Sequence, residues 1–287
     1  MSLNPSSQVS STVSQSLPLS GKTVLITRSV GQSSQFARMI AAAGANAIEM
    51  PALEIGPPSS WEDLDSAIAN LSEFDWLILT SSNGINYFFE RLIALEKDAR
   101  TLANLKIAVV GEKTAQTLKK QNLQPDFIPP NFIADSLIEH FPEQLAGKKV
   151  LFPRVETGGR EDLIRQFRQQ GAEVMEVAAY QSCCPSSIPA SAELALQSGT
   201  VDIITFASSK TVKFFNQLAQ TIFLDNPQDN QPSEVSNYLE GVCIASIGPQ
   251  TSQACQAYFG RVDVEASEYT LEGLTQAVID WVSNLGE

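Results

Sequence analysis

Two short patterns each occur twice in this chain, and a third pair occurs out of order with them, which restricts the possible topologies more than any single motif does. Asp75-Trp-Leu-Ile-Leu-Thr-Ser-Ser82, with Phe88-Phe89 downstream, recurs as Asp202-Ile-Ile-Thr-Phe-Ala-Ser-Ser209 with Phe214-Phe215. After each copy, Ile107-Ala-Val-Val-Gly-Glu-Lys-Thr-Ala115 matches Ile244-Ala-Ser-Ile-Gly-Pro-Gln-Thr-Ser252 when Gly111 and Gly248 are aligned. The third pair is Val24-Leu-Ile-Thr-Arg28, leading through a helix to Ala43-Gly44-Ala45, and Val150-Leu-Phe-Pro-Arg154, leading through a helix to Gln170-Gly171-Ala172. It opens the chain in one copy and closes the repeat in the other. The N-terminal βαβ segment therefore belongs with the C-terminal half. The expected organisation is a disordered tail over 1–20, a discontinuous α/β domain of 21–52 plus 180–287, and an inserted α/β domain over 53–179.

Apolar runs of four to six residues alternate with segments of helical period. Strands are expected at Val24–Thr27, Ala47–Met50, Trp76–Thr80, Ile107–Val110, Asp126–Ile128, Val150–Phe152, Val174–Val177, Ile203–Phe206, Cys243–Ile247 and Val262–Val264, with helices such as Ser33–Ala43 and Trp61–Leu71 between them. Repeated βα units of this kind imply an α/β fold of two similar domains, each a parallel sheet flanked by helices in the flavodoxin manner. The chain would cross twice between them, near Pro51–Pro58 and near Val177–Pro185. Proline at both places favours extended backbone, giving a two-stranded hinge with an interdomain cleft. Ligands of α/β proteins usually bind outside the carboxyl ends of parallel strands.

Charge narrows the partners. Lys and Arg number 19 against 32 Asp and Glu, a net −13, which disfavours nucleic acid and gives no long-range attraction for an anionic ligand. Any such ligand must be held by local donors. No apolar run reaches membrane-spanning length, and the first twenty residues carry neither a secretory nor a transit pattern, so no membrane partner is expected. Cys183, Cys184, Cys243 and Cys255 form no CxxC pair and no metal-ligand spacing, which fits a reducing, cytoplasmic setting and no metal.

Candidate site residues fall at the duplicated strand ends. Ser81, Ser82 and Asn83, like Ser208 and Ser209, stand where a helix begins; they read either as helix caps or as anion-binding groups at helix N-termini. Gly111 with Thr114 and Gly248 with Thr251 follow the next strand in the same way, as tight turns or as places of close ligand approach. Neither is a Walker loop or a dinucleotide fingerprint. Arg28 and Arg154 end the third pair of strands, where a guanidinium either pairs with a ligand carboxylate or bridges within its own domain, and Arg160, at the start of the following helix, is a candidate of the same kind. Tyr180 lies in the second crossing, as packing or as a phenol able to donate a proton. His140 is the single histidine and reads as structural, since it has no metal-ligand or nucleophile partner in the pattern.

Taken in order, Leu25-Ile-Thr-Arg28, Asp75–Ser82, Val110-Gly-Glu-Lys-Thr-Ala115, Leu151-Phe-Pro-Arg154, Val177–Tyr180, Phe206-Ala-Ser-Ser209 and Ile247-Gly-Pro-Gln-Thr251 resemble the uroporphyrinogen-III synthase family over about residues 20–285. One internal departure is Lys113 opposite Gln250. The resemblance implies hydroxymethylbilane as substrate, uroporphyrinogen III and water as products, and no cofactor. In that chemistry the terminal hydroxyl leaves to give an azafulvene, a substituted pyrrole carbon attacks to form a spiro intermediate, and the last ring is inverted on reclosure. The substrate carries eight carboxylates, for which the resemblance offers backbone amides and the hydroxyls of Ser82, Thr114, Ser208 and Thr251. Tyr180 matches the family's tyrosine and would assist hydroxyl departure. A monomer is expected, and transient contact with the upstream hydroxymethylbilane synthase is compatible with this reading. The alternative is a cytoplasmic two-lobed ligand-binding or regulatory protein without catalysis.

Overall fold

The central strands are mostly apolar and deeply buried, and consecutive residues pack against opposite faces of their sheets. In the computed structural model, residues 17–29, 33–131, 134–158, 161–223 and 233–285 are described. The chain opens with β1 (Thr23–Ile26), α1 (Ser33–Ala42) and β2 (Asn46–Glu49). It continues through β3 (Glu54–Gly56), α2 (Glu62–Ala69), β4 (Trp76–Leu79), α3 (Ser82–Ala94), β5 (Lys106–Val109), α4 (Glu112–Lys120) and α5 (Ala134–Glu139), then β6 (Lys149–Val155), α6 (Glu161–Gln169) and β7 (Glu173–Cys183). The last third contains α7 (Ala190–Gln197), β8 (Ile203–Phe206), α8 (Ser209–Phe223), α9 (Ser233–Tyr238), β9 (Cys243–Ser246), α10 (Pro249–Phe259), β10 (Val264–Glu265) and α11 (Leu271–Asn284).

Two compact units result. Unit 1 takes the chain up to Glu54 and from Cys184 onward; unit 2 is Ile55–Cys183. The unit 1 sheet has the order β10-β9-β8-β1-β2; counting its strands along the chain, this is the 2-1-3-4-5 order of flavodoxin-like sheets. The unit 2 sheet runs β3-β7-β6-β4-β5. Taking β6 and β7 as its first two strands gives 2-1-3-4 of the same order, so unit 2 repeats the unit 1 frame in permuted chain order, with β3 added at one edge and only the isolated Phe127 bridge in the fifth place. Pairing is parallel in both centres, with Val24 opposite Ala47 and Ile203 in one, and Leu77 opposite Ile107 and Leu151 in the other.

Each sheet is buried on both faces, which explains why its strands are mostly apolar. In unit 2, Leu77, Leu79, Ile107 and Leu151 pack with Phe88 and Leu92 of α3, whereas Trp76, Ile78, Val150 and Phe152 pack with Phe167 of α6. In unit 1, Leu25, Ile204 and Phe206 face Phe215 of α8, and Val24, Ile26 and Ile203 face Phe36 of α1. The aspartates that open the first repeat fix register: Asp202 accepts the Thr23 amide (2.7 Å) and is paired with Lys22, and Asp75 accepts the Lys149 amide (2.9 Å) and is paired with Lys148.

Some expectations shift. Asp126–Ile128 forms no strand; Phe127 makes an isolated bridge to Ala108, and Asp126 turns its carboxylate to the Ile107 amide (2.8 Å). The second crossing falls within the expected Val177–Pro185, with the unit boundary at Cys183/Cys184 rather than 179/180, because β7 continues to Cys183. The first lies at Glu54/Ile55, since β3 joins the unit 2 sheet. Leu17–Ser20 do not belong to a tail: Leu19 is fully buried and its amide bonds to the Ala43 carbonyl (2.8 Å). Residues 1–16 lie outside the described residues. Among the described residues, no helix is long and apolar enough to cross a membrane.

Candidate functional site

At the carboxyl edge of the unit 2 sheet, β4 ends at Leu79 and Ser81 caps α3. Its backbone is extended (φ −151, ψ 152) and its Oγ accepts the Gly84 amide at 2.9 Å, satisfying one of the helix's otherwise unpartnered first amides. Ser82 Oγ accepts the Thr117 hydroxyl proton (2.9 Å) and so ties α3 to α4. Gly111 precedes α4 with φ 91 and ψ 148, a conformation nearly confined to glycine. Thr114 is buried, at 5% exposure.

Tyr180 enters this edge from β7 rather than from a linker. The β6–β7 register runs Arg154↔Ala178 and then Val155↔Tyr180, so Ala179 is an extra residue in β7. Alternation would send Tyr180 to the face opposite Val177 and Ala179. The bulge turns it to their face, and all three pack in the cluster against α3; re-aiming a side chain is a recurrent use of bulges. The phenol oxygen lies 3.0 Å from Ser81 Oγ. Its ring stacks on Tyr87 (centroids 6.0 Å apart, 22° between planes), and the Tyr87 hydroxyl donates to the Ile55 carbonyl (3.0 Å).

Arg154 is committed within its own unit. It pairs with Glu176 on the neighbouring strand, donates to the Gly158 carbonyl, and lies 3.9 Å from Glu161. The bridging alternative describes its observed state. Arg160 lies outside the described residues. His140 is exposed and within hydrogen-bonding distance of the Ser136 carbonyl (3.1 Å), one turn earlier.

In unit 1 the same frame reappears. Ser208 Oγ accepts the Thr211 amide (3.2 Å), three residues on as in the Ser81 cap, and Ser209 Oγ donates to the Gln250 carbonyl (2.8 Å), tying α8 to α10. Ser208, Ser209, Gly248, Thr251 and Tyr269 line one cavity of about 390 Å³, with Thr251 at 4% exposure. Beneath it, Ser252 Oγ donates to Ser246 Oγ (3.0 Å) and contacts the Glu265 carboxylate, and the Gly248 amide donates to Ser246 Oγ (3.2 Å). Arg28 follows β1 at this edge, half-buried; burial holds its guanidinium pKa below the usual value.

The serines are thus caps and interhelical ties first, which leaves the backbone amides around them as the main donors for an anion. Sequence reasoning missed Gly84, Tyr87 and Tyr269. A glycine three residues after a helix-capping serine is a readable signal for the first, because a Cβ there would stand 3.2 Å from Ser81 Oγ and 3.8 Å from Tyr180 Cε1. An exposed loop aromatic such as Tyr269 offers no such signal.

Fold and edge together define a class: two α/β units of flavodoxin order, one permuted, each opening serine-capped helices at the carboxyl end of its sheet. Residues 34–276 match the family model described as uroporphyrinogen-III synthase HemD. The chain is 53% identical to the uroporphyrinogen-III synthase of Synechococcus elongatus over 264 residues, 92% of this chain and 97% of that one. It is 27% identical to the uroporphyrinogen-III synthase of Chlorobaculum parvum, over 85% of this chain and 92% of the other. The crystal structure of uroporphyrinogen-III synthetase from Helicobacter pylori shares the fold at a TM-score of 0.56 with 17% identity, covering 91% of this chain and 99% of that one. The chain belongs to the uroporphyrinogen-III synthase family.

Proposed function

We propose that this chain cyclises hydroxymethylbilane to uroporphyrinogen III, inverting the last pyrrole ring and releasing water. The observation that carries the mechanism is Tyr180, turned by the bulge in β7 onto the face of the Ser81 cap. When the terminal C–O bond breaks, its electron pair goes to oxygen and the Tyr180 proton completes a water molecule. The pyrrole nitrogen fills the vacated carbon, and the N–H proton, labile once the ring is cationic, returns to the phenolate. The products of this step are the azafulvene and water, with the enzyme unchanged. The remaining contribution is orientation: a flexible chain held so that a substituted carbon attacks and forms the spiro intermediate.

The substrate's carboxylates are assigned to helix N-terminal amides at both sheet edges and, in unit 1, to the cavity lined by Ser208, Gly248 and Thr251. Local donors of this kind suit a protein of net charge −13. No disulfide joins the four cysteines, which supports a reducing, cytoplasmic setting; the reading includes a monomer that takes its substrate from the upstream synthase. The test is to generate hydroxymethylbilane in situ, add the protein, oxidise the products and separate the porphyrin isomers. Mostly type III is expected. Type I alone would discard catalysis in favour of a two-lobed binding protein.

A further inference from the structure

The Ser81 oxygen has two neighbours with different claims on it. The Gly84 amide donates into one lone pair at 2.9 Å, and the phenol oxygen of Tyr180 lies on another side at 3.0 Å. An oxygen already accepting from a helix amide has its own proton to place, and the phenol oxygen is an acceptor within reach. We propose that Ser81 is a positioning residue for Tyr180: it donates its hydroxyl proton to the phenol oxygen, so that the phenol's own proton is left for the departing hydroxyl of the substrate.

Three features of the fold serve this arrangement. The extra residue Ala179 places Tyr180 on the α3 face. Tyr87, anchored on the Ile55 carbonyl, fixes the ring plane from the other side. The absence of a side chain at Gly84 leaves the space in which serine and phenol meet. The chain of donors begins at the N-terminus of α3, where the helix dipole is positive, and each bond polarises the next, which strengthens the last donor. As proton transfer proceeds, the Ser81 hydroxyl already points at the developing phenolate and stabilises it without reorganising.

This inference rests on the acid role of Tyr180, and the test separates the two. Ser81→Asp keeps an excellent cap acceptor but has no proton to give, Ser81→Thr keeps both functions, and Ser81→Ala keeps neither. With type III formation as the readout, Ser81→Ala and Ser81→Asp should each lower kcat about tenfold or more, a part of what a positioned acid contributes, with KM near the wild-type value. Ser81→Thr should stay within about threefold of wild type by the same reasoning. In a Tyr180→Phe background, Ser81→Ala should cost nothing further. A fully active Ser81→Asp would make Ser81 a cap only and overturn the proposal, as would an undiminished Ser81→Ala loss in the Tyr180→Phe background. An unimpaired Tyr180→Phe would instead overturn the acid role itself, and the positioning role with it.

Discussion

Ser81 and Ser208 occupy the same place in the two units and each accepts the amide three residues on, yet the oxygen of Ser81 has a phenol 3.0 Å away where Ser208 has the Thr211 hydroxyl. The differences continue one strand over. Gly111 adopts φ 91, whereas Gly248 is extended at φ 167. Val109 and Ala115 are apolar core in unit 2, and their counterparts Ser246 and Ser252 form a buried hydroxyl network reaching Glu265. Glu112 opens α4 with a negative charge, while α10 opens with Pro249. Duplication has kept the backbone frame that leads β4 and β8 into serine-capped helices and β5 and β9 into glycine turns, and changed what stands on it. In unit 2 a phenol stands beside the cap, and in unit 1 the cap and turn residues line a cavity.

The largest effect that would break this contrast is at Tyr180. Tyr180→Phe is expected to lower kcat by about 100-fold or more, the scale of a lost general acid, while Ser82→Ala and Thr114→Ala should cost only a few-fold, measured as the rate of type III formation. Comparable effects in all three variants would remove the assignment of chemistry to one side chain.

The two glycines offer the next comparison. Gly111→Ala forces a Cβ onto a backbone with φ 91 and should destabilise by about 1–3 kcal/mol. Gly248 carries no such strain; an added Cβ would instead stand 2.9 Å from Tyr269 Cδ1, so Gly248→Ala should displace that exposed ring and alter substrate affinity with little loss of stability. Urea midpoints for both variants check the split, and equal destabilisation would contradict it.

A smaller effect separates the two strand ends from within. Ser252→Ala, which brings unit 1 to the residue that unit 2 has at Ala115, removes the bond to Ser246 and should cost about 1 kcal/mol. Acid stability supplies the smallest. Hydrogen bonds from Lys106 first, then Trp76 and Lys148, hold the Glu143 carboxyl at about 2, against 4.5 ordinarily. A depressed carboxyl pKa contributes stability that is fully present above the unfolded value and lost as pH falls through the folded one. Unit 2 should therefore weaken between pH 4.5 and about 2, and Glu143→Gln should flatten that dependence in chemical denaturation followed as a function of pH.

Much of this frame was legible from residues alone. The permuted third pattern required a discontinuous unit, the apolar runs placed most of the strands along the chain, and serine at the duplicated strand ends offered caps as one of two readings. What stayed hidden depends on pairing between distant segments. The Ala179 bulge is a register relation between β6 and β7, so Tyr180 reads as a crossing residue when it is a strand residue. The commitment of Arg154 to Glu176 needs the neighbouring strand, and β3 is three residues long with one of them glycine, too short to carry a period. Tyr269 reaches the unit 1 cavity from a loop, where no pattern constrains it.

The division between a proton-donating edge and a binding edge is tested most directly by measuring kcat and KM for Tyr180→Phe and Thr251→Val side by side. The expected result is a fall in kcat with KM nearly unchanged for the first, and a rise in KM of about tenfold with kcat nearly unchanged for the second, as for a lost hydrogen bond to a charged group. The same split in both variants would contradict it.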